Sequence, residues 1–142
     1  MHIDLDEFKR IINTFLDSPK AHITSLDLTN PLGNSPELLD KFIFHIQLMV
    51  ENKLVSNIDL VNESLNELGI IRYPNFMDKF KYVPMPIRLT QAGHDFAAIL
   101  NEKPILEELK TKLKDAPFDI LMSTGKSLLM KIIENKLEPL LR

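Results

Sequence analysis

The 142-residue chain contains no cysteine, no tryptophan and only four glycines. Without cysteine there is no disulfide framework, no thiolate zinc site and no cysteine nucleophile, which fits a reducing compartment. Four glycines are too few for most phosphate cradles. Gly125-Lys126-Ser127 imitates the end of a P-loop, but position 120 is isoleucine where that loop needs glycine. Apolar runs are broken by Lys, Asp or Glu well before the roughly 18 residues of a membrane span. The acidic start from Met1 to Glu7 lacks the basic and apolar regions of a secretory signal. We therefore expect a cytoplasmic protein with no membrane association. His-Glu-x-x-His, Gly-x-Ser-x-Gly and clustered His and carboxylates at metal spacing are also missing, so no enzyme, metal site or cofactor is expected.

Positive charge is in short supply as well. Seventeen Lys and Arg face twenty Asp and Glu, a net charge of -3, which gives no global support to nucleic-acid binding. The deficit is uneven. Residues 1–102 hold nine basic and fourteen acidic residues (-5), and residues 103–142 hold eight and six (+2). What the chain does have is ordinary globular composition, 44% hydrophobic and 26% charged, and enough length for one domain with a helical appendage.

Helical periodicity is clearest at Leu5, Phe8, Ile11, Ile12, Phe15 and Leu16, predicting a first helix over 4–16 that stops before Pro19. Residues 21–28 alternate and read as a short strand or extended segment, followed by the turn residues Asn30, Pro31, Gly33 and Asn34. Ser35, Pro36 and Glu37 form a strong helix start. The helix they open should reach about Asn52 and is apolar nearly all round, because Phe44 and Leu48 add to the inward face. Residues 54–61, 70–73 and 82–89 read as β segments, with Pro74, Pro84 and Pro86 arguing for edges or loops. Thr90 should cap a helix over 91–101, and 104–114 and 118–141 read as two more helices separated by Ala116 and Pro117.

Two local patterns sharpen this order. Phe44-His45-Ile46-Gln47-Leu48 leading to Glu51-Asn52-Lys53-Leu54-Val55 resembles the end of a recognition helix and its passage into a wing strand. Arg88-Leu89-Thr90-Gln91-Ala92-Gly93-His94-Asp95-Phe96 resembles the Leu-Thr-x-x-Gly passage from a wing strand to the next helix. Together, over roughly 4–141, they resemble an uncharacterised bacterial and prophage family known as domain of unknown function 2513. The resemblance implies an α+β, mainly α fold: a winged helix-turn-helix domain over 1–102 with a C-terminal helical extension over 103–142. It implies no established activity. His45, Thr90, Gly93, His94 and Phe96 are the structural motif residues. Lys53 stands where such domains usually carry glycine after the helix.

Two functions follow as alternatives. In the first, the protein is a non-enzymatic, phage-type transcriptional regulator that binds double-stranded DNA, with Lys41 and Gln47 on the reading helix and Arg72, Lys79, Lys81 and Arg88 in or beside the wing as phosphate contacts. Tyr73, Phe76, Phe80 and Tyr82 interleave with these cations. In the second, the same fold is a protein-interaction module that docks a partner on Phe44 and Leu48. The reading helix suits DNA poorly, since Asp40, Phe44 and Glu51 share its outer face. His45 reads as a partly buried histidine with one ring nitrogen bonded to backbone or water, and His94 as making an orienting hydrogen bond back to the wing. The stripe Phe118, Leu121, Leu128, Ile132, Leu137 and Leu141 is expected either to pack as core, to form a homodimer through the C-terminal helices, or to lie on a membrane surface.

Overall fold

The computed structural model describes residues 1–77 and 79–141 and shows an α+β, mainly helical fold. Helix α1 (Leu5–Asp17) begins at Asp4, whose carboxylate accepts the Asp6 N–H at 2.9 Å, and buries Leu5, Phe8, Ile11 and Ile12. Residues 21–28 depart from the strand expectation. Only Ile23 is paired, and α2 (Ser25–Thr29) follows at once. The cause is local: the Asp27 carboxylate accepts the Thr24 N–H at 2.8 Å, a helix-start bond that competes with an extended chain. A 3-10 turn (Asn30–Leu32) leads to α3 (Pro36–Glu51), where the Ser35 hydroxyl accepts the Leu38 N–H at 3.3 Å.

The β segments are shorter than expected. β1 (Val55–Asn57) stops because the Asn57 side-chain oxygen accepts the N–H groups of Asp59 and Val61, both at 2.9 Å, and closes a turn. A 3-10 turn (Leu65–Leu68) precedes β2 (Ile70–Arg72) and β3 (Phe80–Tyr82), which pair as a hairpin. The expected strand over 82–89 is divided, since Pro84 and Pro86 have no N–H to give a ladder, and β4 (Ile87–Leu89) begins only after them. β4 pairs antiparallel with β1, with Val55 opposite Leu89, and exchanges two backbone hydrogen bonds with Ile23 on its other side. Gly69 enters the hairpin with φ 77°, and a Cβ there would run into the Val83 carbonyl.

Helices α4 (Gln91–Leu100), α5 (Lys103–Lys112) and α6 (Phe118–Leu141) complete the chain. The core runs without a break from α1, α3 and α4 into Ile105, Leu106 and Leu109 of α5 and Leu121 of α6, so both sides of position 102 share it. Phe8, Phe96 and Phe118 meet edge to face, with centroids 5.2 to 5.9 Å apart, at the junction of α1, α4 and α6. Gly125, the apparent P-loop residue, lies against Ile99, where any side chain would collide. The second half of α6 behaves differently: Met130, Leu137, Leu140 and Leu141 are all exposed. Among the described residues no helix is long and apolar enough to cross a membrane.

Candidate nucleic-acid and partner-binding surfaces

The motif after β4 is a joint between backbone segments. The Thr90 hydroxyl accepts the Gly93 N–H at 3.1 Å and donates to the Lys53 carbonyl at 2.6 Å, while the Thr90 N–H donates to the Leu54 carbonyl at 2.9 Å. Gly93 faces that same Leu54 carbonyl so closely that a Cβ could not fit. Phe96, one turn on, is fully buried. Lys53 adopts φ 59°, the left-handed conformation expected where glycine is usual, at a cost of about 1 kcal/mol. His94 departs from expectation. It is exposed, and its ring makes no hydrogen bond among the described residues.

His45 and Lys41 lie one turn apart on α3, and both are turned to Asp4. The His45 ring is fully buried, with Nδ1 2.7 Å from the Lys41 carbonyl and Nε2 2.8 Å from the Asp4 nitrogen. A carbonyl only accepts and an amide N–H only donates, so the imidazole is neutral with its proton on Nδ1. Burial pushes its pKa below the ordinary value, outweighing the Lys41 carbonyl and the nearby acids. The Lys41 ammonium sits 2.5 Å from the Asp4 carboxylate, and that hydrogen bond raises the lysine pKa. Burial alone would raise the Asp4 carboxyl, but Lys41 and the Asp6 N–H together hold it below the usual range. Sequence reasoning missed this hub. The available signal was Asp4 as an N-cap facing a Lys and His at i, i+4 spacing.

The remaining candidate cations do not all share one surface. In the hairpin register Arg72 stands opposite Phe80 and Lys81 opposite Ile71, so Arg72 and Lys81 project from opposite faces. The Lys79 ammonium lies over the Phe76 ring, 5.0 Å from its centroid. Arg88, on β4, reaches the Ser56 hydroxyl at 3.4 Å and borders a crevice shared with Lys20 and His94.

On α3, Glu37, Asp40, Gln47 and Glu51 are exposed, and Phe44 and Leu48 are half-buried. Helical spacing brings these residues to the outer side, away from Phe42, Ile46 and Met49. Phe44 stacks edge to face on the His45 ring at 5.1 Å, and Leu48 packs against the core. Beside α3, the hairpin side bearing Phe80 and Tyr82 leaves a groove of about 330 Å³ against Leu39 and Ile43. Among the described residues, no group of three or more His, Asp or Glu is placed to hold a metal ion. No protein-family model, curated protein or solved structure matches this chain.

Proposed function

We propose that residues 1–102 form a winged helix-turn-helix unit, extended by residues 103–142, of the kind implied by the resemblance to domain of unknown function 2513. We propose further that it serves as a non-enzymatic, cytoplasmic protein-interaction module and not as a DNA-binding regulator. The winged-helix reading is supported by the order α1, Ile23, α2, α3, β1, hairpin, β4, with β4 laddered between Ile23 and β1.

The outer face of α3 carries the functional reading. It displays Glu37, Asp40 and Glu51 with a single neutral hydrogen-bonding side chain, Gln47, where a base-reading helix needs donors and cations. Lys41 is held by Asp4, and the hairpin separates Arg72 from Lys81. Phosphates brought to α3 would meet carboxylates.

A fluorescence-anisotropy titration with random-sequence duplex at about 50 mM salt tests this, because counterion release makes phosphate-contacting proteins bind most tightly when salt is low. The expected result is no salt-dependent binding. Binding that weakens steeply with salt, and weakens further in Arg72→Ala or Lys81→Ala, would restore the regulator reading.

Self-association is a second element of the proposal. Met130, Ile133, Leu137 and Leu140 recur at alternating three- and four-residue spacing and are exposed, a stripe that an isologous helix pair covers. Analytical ultracentrifugation of the full chain and its Leu137→Glu variant checks it: a dimer is expected for the former and a monomer for the latter. A monomeric full chain would refute it.

A further inference from the structure

The groove between α3 and the β2–β3 hairpin has features that the fold itself does not use. One wall is Leu39 and Ile43; the other is Tyr73, Phe80 and Tyr82. At about 330 Å³ it receives a few side chains but not a whole amphipathic helix. The hairpin wall is aromatic and the α3 wall aliphatic, and aromatic rings are a surface on which proline rings and extended polyproline backbone dock.

Its polar groups narrow the occupant further. The Tyr73 and Tyr82 hydroxyls and the Asn34 amide, all at the groove, make no hydrogen bond among the described residues. A polyproline helix has no internal hydrogen bonds, so its carbonyls need donors of this kind. Asp40 borders the groove and forms no ion pair among the described residues, yet its charge is felt at the Tyr82 hydroxyl, which burial and then Asp40 push toward a higher pKa. The facing cation, Lys79, lies on the Phe76 ring. Neither Asp40 nor Lys79 forms an ion pair among the described residues, so the α3 wall of the groove carries a negative charge and the hairpin wall a positive one.

We propose that this groove binds an extended, proline-rich segment of a partner protein, with an arginine or lysine of that segment paired to Asp40. The assignment rests on the protein-interaction reading above and names the partner chemistry for it.

The test titrates the full-length, nitrogen-15-labelled protein with two short synthetic polyproline peptides, one bearing a central arginine and the other glutamate in its place. The arginine peptide should shift the amides of Leu39, Asp40, Tyr73 and Tyr82, and should bind about tenfold more tightly than its glutamate counterpart. Asp40→Lys should invert that order, and Tyr73→Ala, at a side chain already exposed, should weaken both peptides while leaving the circular dichroism spectrum unchanged.

No groove shifts with either peptide, or equal binding that Asp40→Lys does not alter, would overturn the proposal. Shifts confined to α6 or to Phe44 and Leu48 would also overturn it, while leaving the protein-interaction reading intact. Salt-dependent duplex binding is the separate result that removes that reading.

Discussion

The Asp4–Lys41–His45 junction and the α3–hairpin groove both involve α3, and they use their polar groups in opposite ways. At the junction the imidazole nitrogens, the Lys41 ammonium and the Asp4 carboxylate are all partnered within the chain. At the groove, Asp40, Tyr73 and Tyr82 stay open to solvent or a ligand. The first pattern stabilises a fold, because buried polar atoms are costly only when unpaired. The second is the pattern that the proposed proline-rich partner would use. Thr90, bonded to the Gly93 N–H and the Lys53 carbonyl, follows the first pattern as His45 does, whereas the exposed His94 ring makes no hydrogen bond among the described residues.

Breaking the junction should have the largest effect. His45→Phe removes the acceptor of the Asp4 N–H and the donor to Lys41 in a fully buried place, and should cost about 3 kcal/mol in urea unfolding. Gly93→Ala forces a methyl group against the Leu54 carbonyl and should cost about 2 kcal/mol, with loss of α4 docking seen as earlier thermal unfolding.

The pH dependence sharpens the same contrast. Because the folded-state pKa of His45 lies below its ordinary value of 6.5, the unfolded chain takes up the proton first. The contribution is complete above pH 6.5 and is lost as pH falls below it through the folded pKa. The Asp4 carboxyl adds a second loss below its ordinary 3.8. Stability measured across this range should fall on acidification in the natural protein, and His45→Phe should abolish the part just below pH 6.5.

Smallest of all is Lys41→Met. Its ion pair with Asp4 is partly exposed, so the cost should stay under about 1 kcal/mol by urea unfolding. Duplex binding should not change.

Much of the helical framework was legible because it is written in local chemistry. Ser35-Pro36 opens α3 and Thr90 opens α4, and apolar residues at three and four spacing mark α1. Extended regions are less legible. Thr24 with Asp27 is also local, but the alternating Ile23, Leu26 and Leu28 masked it, and β1 ends at an asparagine turn that hydrophobic alternation does not show.

The site was less legible still. That Lys41 is committed to Asp4 depends on how α1 crosses α3, which no spacing within either helix reveals. That Arg72 and Lys81 face apart depends on hairpin register, set by the geometry of the connection. The groove joins α3 to residues far along the chain, so neither segment alone suggests it.

The most direct test of the contrast is an NMR pH titration of the His45 ring, alone and with saturating DNA duplex. The ring should be neutral, protonated on Nδ1 and titrate below 6.5, with a pKa the duplex leaves unchanged. A ring that titrates at or above 6.5, or whose resonances move when duplex is added, would contradict it.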